Sequence, residues 1–248
     1  YPHGDSFEDH RPLAMAMAVE CLDKRYDAII VDEGQDFGPN YWLGIEVLLA
    51  DADASLFYVF YDSNQTVYRK ELSLPFEDAP FLLTENCRNT FHIHNAAYRF
   101  YKGEEVDPPE IEGVPVGHIQ GSGLLEQART LRKFITNLIS KDGIQPERIA
   151  VLLMSRKHGA FEEALERAGA PIRTAWSFGT LWRPGTILVE SVRRFKGLEA
   201  SIVILWGLDT LDPDSHREEL YVGFSRARTR AWVLGEAESF DRVVRTAP

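Results

Sequence analysis

Ile29-Ile30-Val31-Asp32-Glu33-Gly34-Gln35-Asp36-Phe37 is the stretch on which the reading of this chain turns. Three β-favouring apolar residues run straight into two adjacent carboxylates. A buried parallel strand delivers acids to the carboxyl edge of its sheet in this way, and open α/β folds bind ligands at that edge. One acid can hold Mg²⁺ while its neighbour polarises a water, the division of labour that nucleotide hydrolysis needs. Taken alone, the same letters also describe a strand ending in solvated acids before a helix started by Pro39.

Outward from this stretch, the chain alternates strands and helices. Residues 13–25 carry Leu13, Ala14, Met17, Cys21 and Leu22 at helical spacing, after a polar lead-in over 1–12. The Pro39 helix has Tyr41, Trp42, Ile45, Leu48 and Leu49 on one face. Leu56 to Phe60 reads as a second buried strand, ending at Asp62-Ser63-Asn64-Gln65. Phe81 to Thr84 reads as a third, running into Glu85-Asn86-Cys87-Arg88, with Thr90 placed to cap a helix from Phe91. Such alternation predicts a parallel sheet with the three strand ends on one edge. Lys102-Gly103-Glu104-Glu105 and the pair Pro108-Pro109 are loop chemistry, so the domains expected are 1–104 and 105–248. A second series then predicts strands over 116–120, 149–154, 186–190, 202–206 and 231–234. Its helices run from Leu124 to Ile139, from Phe161 to Ala168 with Gly169 as the stop, and around 218–227.

The 248 residues are 44% hydrophobic and 26% charged, an ordinary globular composition with no run long enough to span a bilayer. The start, Tyr1-Pro2-His3-Gly4-Asp5, has neither an initiator Met nor a signal-peptide pattern, and reads as a piece cut from a longer protein. Cys21 and Cys87 form no disulfide framework and no zinc spacing, and they suit a reducing, cytoplasmic setting. His92-Ile93-His94 reads as two positions on a helix surface rather than a metal pair. The net charge of −11 argues against a sequence-independent nucleic-acid binder, although basic residues concentrate in the last third, from Arg183 to Arg230.

Four further clusters carry possible chemistry. Gln65 can hold a phosphate or an attacking water without adding negative charge, while the same letters also suit an Asx-type turn. Arg88 can bind phosphate oxygens bidentately or pair on the surface with Glu85. Arg193-Arg194-Phe195-Lys196-Gly197-Leu198-Glu199 can meet phosphates and a sugar hydroxyl or be a solvated basic loop. Glu218 to Ala227 packs a helix from whose end Arg226 projects, the sequence form of an arginine finger.

In order and spacing these clusters resemble the superfamily I helicases of the UvrD/Rep type. Val31 to Asp36 resembles their Walker B motif, and Asp62 to Gln65 with Tyr68 their glutamine motif. Asn86-Cys87-Arg88-Asn89 resembles Asn-Tyr-Arg-Ser, Ser191 to Glu199 the Lys-Gly-Leu-Glu motif, and Glu219 to Ala227 the final arginine motif. The resemblance implies two RecA-like (P-loop NTPase-type) parallel-sheet domains in an α/β fold, the first one partial. It implies ATP and Mg²⁺ as cofactors, single-stranded or duplex DNA as partner, and no membrane. Asp32 would ligate Mg²⁺, Glu33 would activate water, and Gln65 would sense the γ-phosphate. Arg88 and Arg226 would bind that phosphate, Glu199 would contact the nucleotide, and Ser191, Arg193 and Tyr68 would lie near DNA.

The chain departs from the pattern in several places. No lysine follows a glycine anywhere in it, so the phosphate loop of the family is absent. The resemblance is therefore to a C-terminal portion, whose N-terminal motor half is missing and which by itself neither binds ATP tightly nor hydrolyses it. Cys87 stands where a tyrosine would stack on adenine, and Arg69-Lys70 follow Tyr68 in place of Arg-Gly-Ala. The family's large second-domain insertion is replaced by Ala175 to Pro184, where Trp176, Phe178 and Trp182 are either base-stacking loop residues or a small hydrophobic plug. The alternative function is a helicase-like module that binds nucleic acid or protein without turnover. A metal-dependent nuclease would need more acids than Asp32, Glu33 and Asp36.

Overall fold

The computed structural model describes residues 14–15, 17–19, 21–22, 24–65, 72–76, 79–155, 158–179 and 183–245. The chain forms two compact units, Tyr1–Phe81 and Leu82–Pro248. Much of the helix expected over 13–25, together with Tyr68, Arg69, Lys70 and Trp182, lies outside the described residues. No helix among the described residues is long and apolar enough to cross a membrane.

The first unit holds strand β1 (Ala28–Val31), helix α1 (Pro39–Glu46) and strand β2 (Leu56–Val59). β1 and β2 run parallel, with Ala28 opposite Leu56 and Val31 opposite Val59. Pro39 opens α1 as expected, its fixed φ suiting the first turn. Trp42 and Ile45 on α1 bury one face of the sheet with Val31, against Ile29, Phe57 and Val59. The Trp42 indole N–H donates to the Ser73 carbonyl at 2.8 Å, which satisfies its one polar atom. The opposite face is bare: Ile30, Leu56 and Tyr58 are each more than half exposed. The expectation of fully buried strands therefore holds for one face only.

The third strand expected over Phe81–Thr84 does not form. These residues are irregular, and Phe81 is 92% exposed. A strand needs a ladder, and here the contact with a neighbour is one isolated bridge, Glu85 to Asp107. The boundary expected at 104/105 lies inside the second unit. Residues 82–104 keep company with later sequence, for the Phe100 ring stacks parallel to that of Phe224 and Asn89 bonds to the carbonyls of Ser225 and Ala227.

The second unit begins with helix α2 (Phe91–Tyr98). Strand β3 (Gly117–Gln120), helix α3 (Leu124–Ser140), strand β4 (Ile149–Leu153) and helix α4 (Gly159–Ala168) follow. Strands β5 (Ala175–Phe178), β6 (Thr186–Ser191) and β7 (Ala200–Trp206), helix α5 (Arg217–Ser225), strand β8 (Ala227–Gly235) and helix α6 (Ala237–Phe240) complete it. The sheet is parallel throughout, in the order β3-β8-β7-β4-β6-β5. This is the α/β class with a parallel sheet that strand–helix alternation predicted.

Both faces of this sheet are covered, as parallel sheets require. Ile149, Val151 and Leu153 of β4 and Ile202, Ile204 and Trp206 of β7 face Leu131, Ile135, Phe161 and Leu165 of α3 and α4. The alternate residues Ala150, Leu152, Val203 and Leu205 are equally buried on the other side. Helix α5 lies there, and a Cβ on its Gly223 would come within 2.9 Å of the Leu205 side chain. The segment Ala175–Pro184, left between loop and plug by the sequence, starts with edge strand β5. Trp176 packs against the core and donates its indole N–H to the Gly169 carbonyl, so it is no exposed stacking residue.

Candidate functional site

In the first unit the strand ends bring the expected acids and glutamine together. Phe60 N–H donates to Val31 and Gly34 N–H to Phe60, which stitches the end of β1 to the end of β2. Asp32 is exposed, and its Oδ1 accepts the Glu33 N–H at 2.8 Å. That bond accompanies a left-handed backbone at Glu33, φ 54° and ψ 41°, which a residue with a Cβ seldom adopts. The Glu33 carboxylate accepts from the buried Gln35 amide at 2.5 Å. The Gln35 carbonyl oxygen in turn accepts the Asp62 N–H at 3.0 Å, and Asp62 accepts the Gln65 amide at 2.8 Å. A continuous chain of hydrogen bonds therefore runs Glu33–Gln35–Asp62–Gln65. Asp62 also accepts the Asn64 N–H, so the Asx-type turn and the adjacency of Gln65 to the acids are both present.

The arrangement suits Mg²⁺ and a water. Asp32 offers a hard carboxylate oxygen at the surface, and the neighbouring Glu33 carboxylate accepts from the Gln35 amide.

In the second unit three expected residues converge from distant sequence positions. Arg88 Nε lies 3.6 Å from Glu199, whose other oxygen lies 3.1 Å from Arg228. Arg88 thus pairs with Glu199 and not with Glu85. Arg226 closes α5 and is 97% buried, with its carbonyl accepting the Ala200 N–H at 3.1 Å. Glu199 and Arg226 therefore sit at the amino-terminal ends of β7 and β8, which pair from Ala200 and Ala227 onward. The basic turn reaches this place because Gly197 takes φ +80°, which a residue with a side chain resists.

The turn that carries Arg88 is built from amides. Asn86 accepts the N–H groups of Arg88 and Asn89, and its own amide donates to Asn89 at 2.9 Å. His94 Nδ1 lies 3.0 Å from the same amide. His94 is buried and stacked on Tyr98 at 4.0 Å, so it is not the surface position the sequence suggested. Burial pushes its pKa below the usual 6.5, which favours the neutral ring. Thr90 occupies the cap position of α2 without a side-chain cap bond.

Ser191 and Arg193 lie elsewhere. Ser191 ends β6 at the level of Leu153, the carboxyl end of β4, whereas β7 begins beside the start of β4. Ser191 and the Arg88–Glu199–Arg226 group are thus at opposite ends of one sheet. Ser191 is buried, and its hydroxyl donates to Glu190 at 3.3 Å while accepting the Arg194 N–H. Arg193 pairs with Glu219 in the first turn of α5. No group of three or more His, Cys, Asp and Glu placed to hold a metal occurs among the described residues.

Sequence reading missed Gln35, Asn89 and Arg228. Each stands inside or beside a motif already singled out, but their partners lie 27, 136 and 29 residues away for Gln35–Asp62, Asn89–Ser225 and Arg228–Glu199.

Residues 186–234 match the UvrD-like helicase C-terminal domain. That stretch holds β6, β7, α5 and most of β8, with Glu199, Arg226 and Arg228. Among solved structures, the C-terminal domain of a possible DNA helicase from Lactobacillus plantarum WCFS1 is similar. It is 18% identical with a TM-score of 0.49, over 64% of this chain and 94% of that one. No curated protein matches the chain.

Proposed function

We propose that this chain is the C-terminal portion of an ATP-dependent DNA helicase or translocase. The observation that carries the reading is the convergence of Arg88, Glu199 and Arg226 across 139 residues of sequence, within a unit whose residues 186–234 match the UvrD-like helicase C-terminal domain. A helicase-like module without turnover has no need to gather these cations. In the first unit, Asp32 ligates Mg²⁺ and Glu33 holds the attacking water and takes its proton. Gln65, tied to Glu33 through Gln35 and Asp62, reports on the γ-phosphate. In the second unit, Arg88 and Arg226 bind phosphate oxygens, and Arg228 keeps Glu199 paired when Arg88 turns to phosphate. Mg²⁺ supplies the charge that offsets the phosphates and orients them.

With no Gly-Lys-Ser/Thr loop, the chain by itself neither grips ATP tightly nor hydrolyses it. The bare apolar face of the β1–β2 sheet supports an incomplete first domain, because parallel sheets are covered on both faces. The test is the whole protein. Its sequence before Tyr1 should contain a strand followed by that loop, and Glu33→Gln should abolish single-strand-stimulated ATPase. A whole protein without the loop, or unchanged turnover in the variant, overturns the assignment.

A further inference from the structure

We propose that Asn89 is the positioning residue that holds Arg226 in place for phosphate, a role that rests on the function proposed above. Arg226 lies where α5 passes into β8 with no loop between them. The carbonyls of a last helical turn lack partners within the helix, and a buried carbonyl needs a donor. The Asn89 amide nitrogen supplies it on both sides of Arg226, donating to Ser225 at 3.0 Å and to Ala227 at 2.6 Å. One nitrogen with two N–H groups thus brackets the arginine. Its oxygen faces the other way and accepts from Asn86, whose own oxygen fixes the Arg88 N–H. The Asn86–Asn89 pair therefore registers both guanidinium-bearing backbones against one turn, and the 94% burial of Asn89 excludes competing water from the Ser225 and Ala227 carbonyls.

This bracket uses both N–H groups of the asparagine amide. A serine, which the related motif has here, offers one donor for two carbonyls, and an aspartate sets an anion against them. Asn89 acts through Arg226 and touches no phosphate itself.

Two measurements on the whole protein test this. Asn89→Ser and Asn89→Asp should each lower the kcat of DNA-stimulated ATPase by about 10- to 100-fold, the loss expected when a catalytic group shifts by about 1 Å. KM for ATP should change less than about threefold, because a group felt only in the transition state alters kcat. In an Arg226→Ala background the same substitutions should add nothing, since residues that act as a unit are not additive. Equal losses in both backgrounds overturn the proposal. Amide exchange supplies a readout independent of activity. In Asn89→Ser the N–H groups of Arg226 and Ala200 should exchange at least about tenfold faster while that of Val151 in β4 stays protected, as local opening predicts. Unchanged exchange at Arg226 overturns the proposal without touching the proposed function. An unsubstituted whole protein with no ATPase overturns that function, and with it the catalytic part of this one.

Discussion

Glu33 holds an uncommon left-handed backbone, and the residue after it has no room for a side chain. A Cβ on Gly34 would lie 2.4 Å from the Val59 side chain and 3.6 Å from the Trp42 ring. Gly34→Ala should therefore destabilise the first unit by about 1–3 kcal/mol, the usual cost of overpacking, read from the denaturation midpoint by Trp42 fluorescence. An unchanged midpoint contradicts this packing. The Asp32-Glu33 pair was legible in sequence because a strand end and two carboxylates are adjacent letters. Its hydrogen-bonded link to Gln65 was not, because Gln35 and Asp62 meet only once β1 and β2 pair. For the same reason the pair of Arg88 with Glu199 was not legible, and the sequence offered only Glu85 as an alternative to phosphate.

Among the elements, the strands of the second sheet were the most legible, since β4, β6 and β7 are built on the apolar runs over 149–153, 187–189 and 202–206. β5 escaped because four residues at an edge, two of them aromatic, carry no clear period. Phe81–Thr84 misled in the opposite sense: its letters favour a strand, but no neighbouring strand accepts it. The carboxyl ends of β3, β7 and β8 are tied by a buried polar network. Gln127 donates to Asp209 and to the Gly121 carbonyl, and accepts from Trp206. Burial pushes the Asp209 carboxyl up. The Glu236 N–H, the Gln127 amide, the Ser239 hydroxyl and the Arg242 charge outweigh it and hold the pKa below 3.8. A carboxyl lowered in the folded state stabilises above its unfolded pKa and loses that contribution as pH falls through the lowered value. Asp209→Asn should thus lower Tm at neutral pH and flatten its decline below pH 3.8, read by thermal melts across the acid range. A parallel acid limb in the variant contradicts the network.

At the scale of the molecule, one helix joins two of the candidate clusters. α5 carries Glu219, paired with Arg193, in its first turn and is followed at its end by Arg226, bracketed by Asn89. Nine residues of helix span about 13 Å, so Arg193, held through Glu219, and Arg226 lie at opposite ends of one helix. Among the described residues the first unit has two strands with one exposed face, and the second a covered six-stranded sheet. In sequence the same 248 residues carry the Asp32-Glu33 pair and no Gly-Lys-Ser/Thr loop. The account stands on Arg226 as the arginine that meets phosphate charge. Its most direct test is single-strand-stimulated ATPase of the whole protein carrying Arg226→Ala. The expected loss in kcat is at least about 10³-fold, the range of an arginine finger, with DNA binding retained. A variant that hydrolyses ATP at the unsubstituted rate contradicts the account.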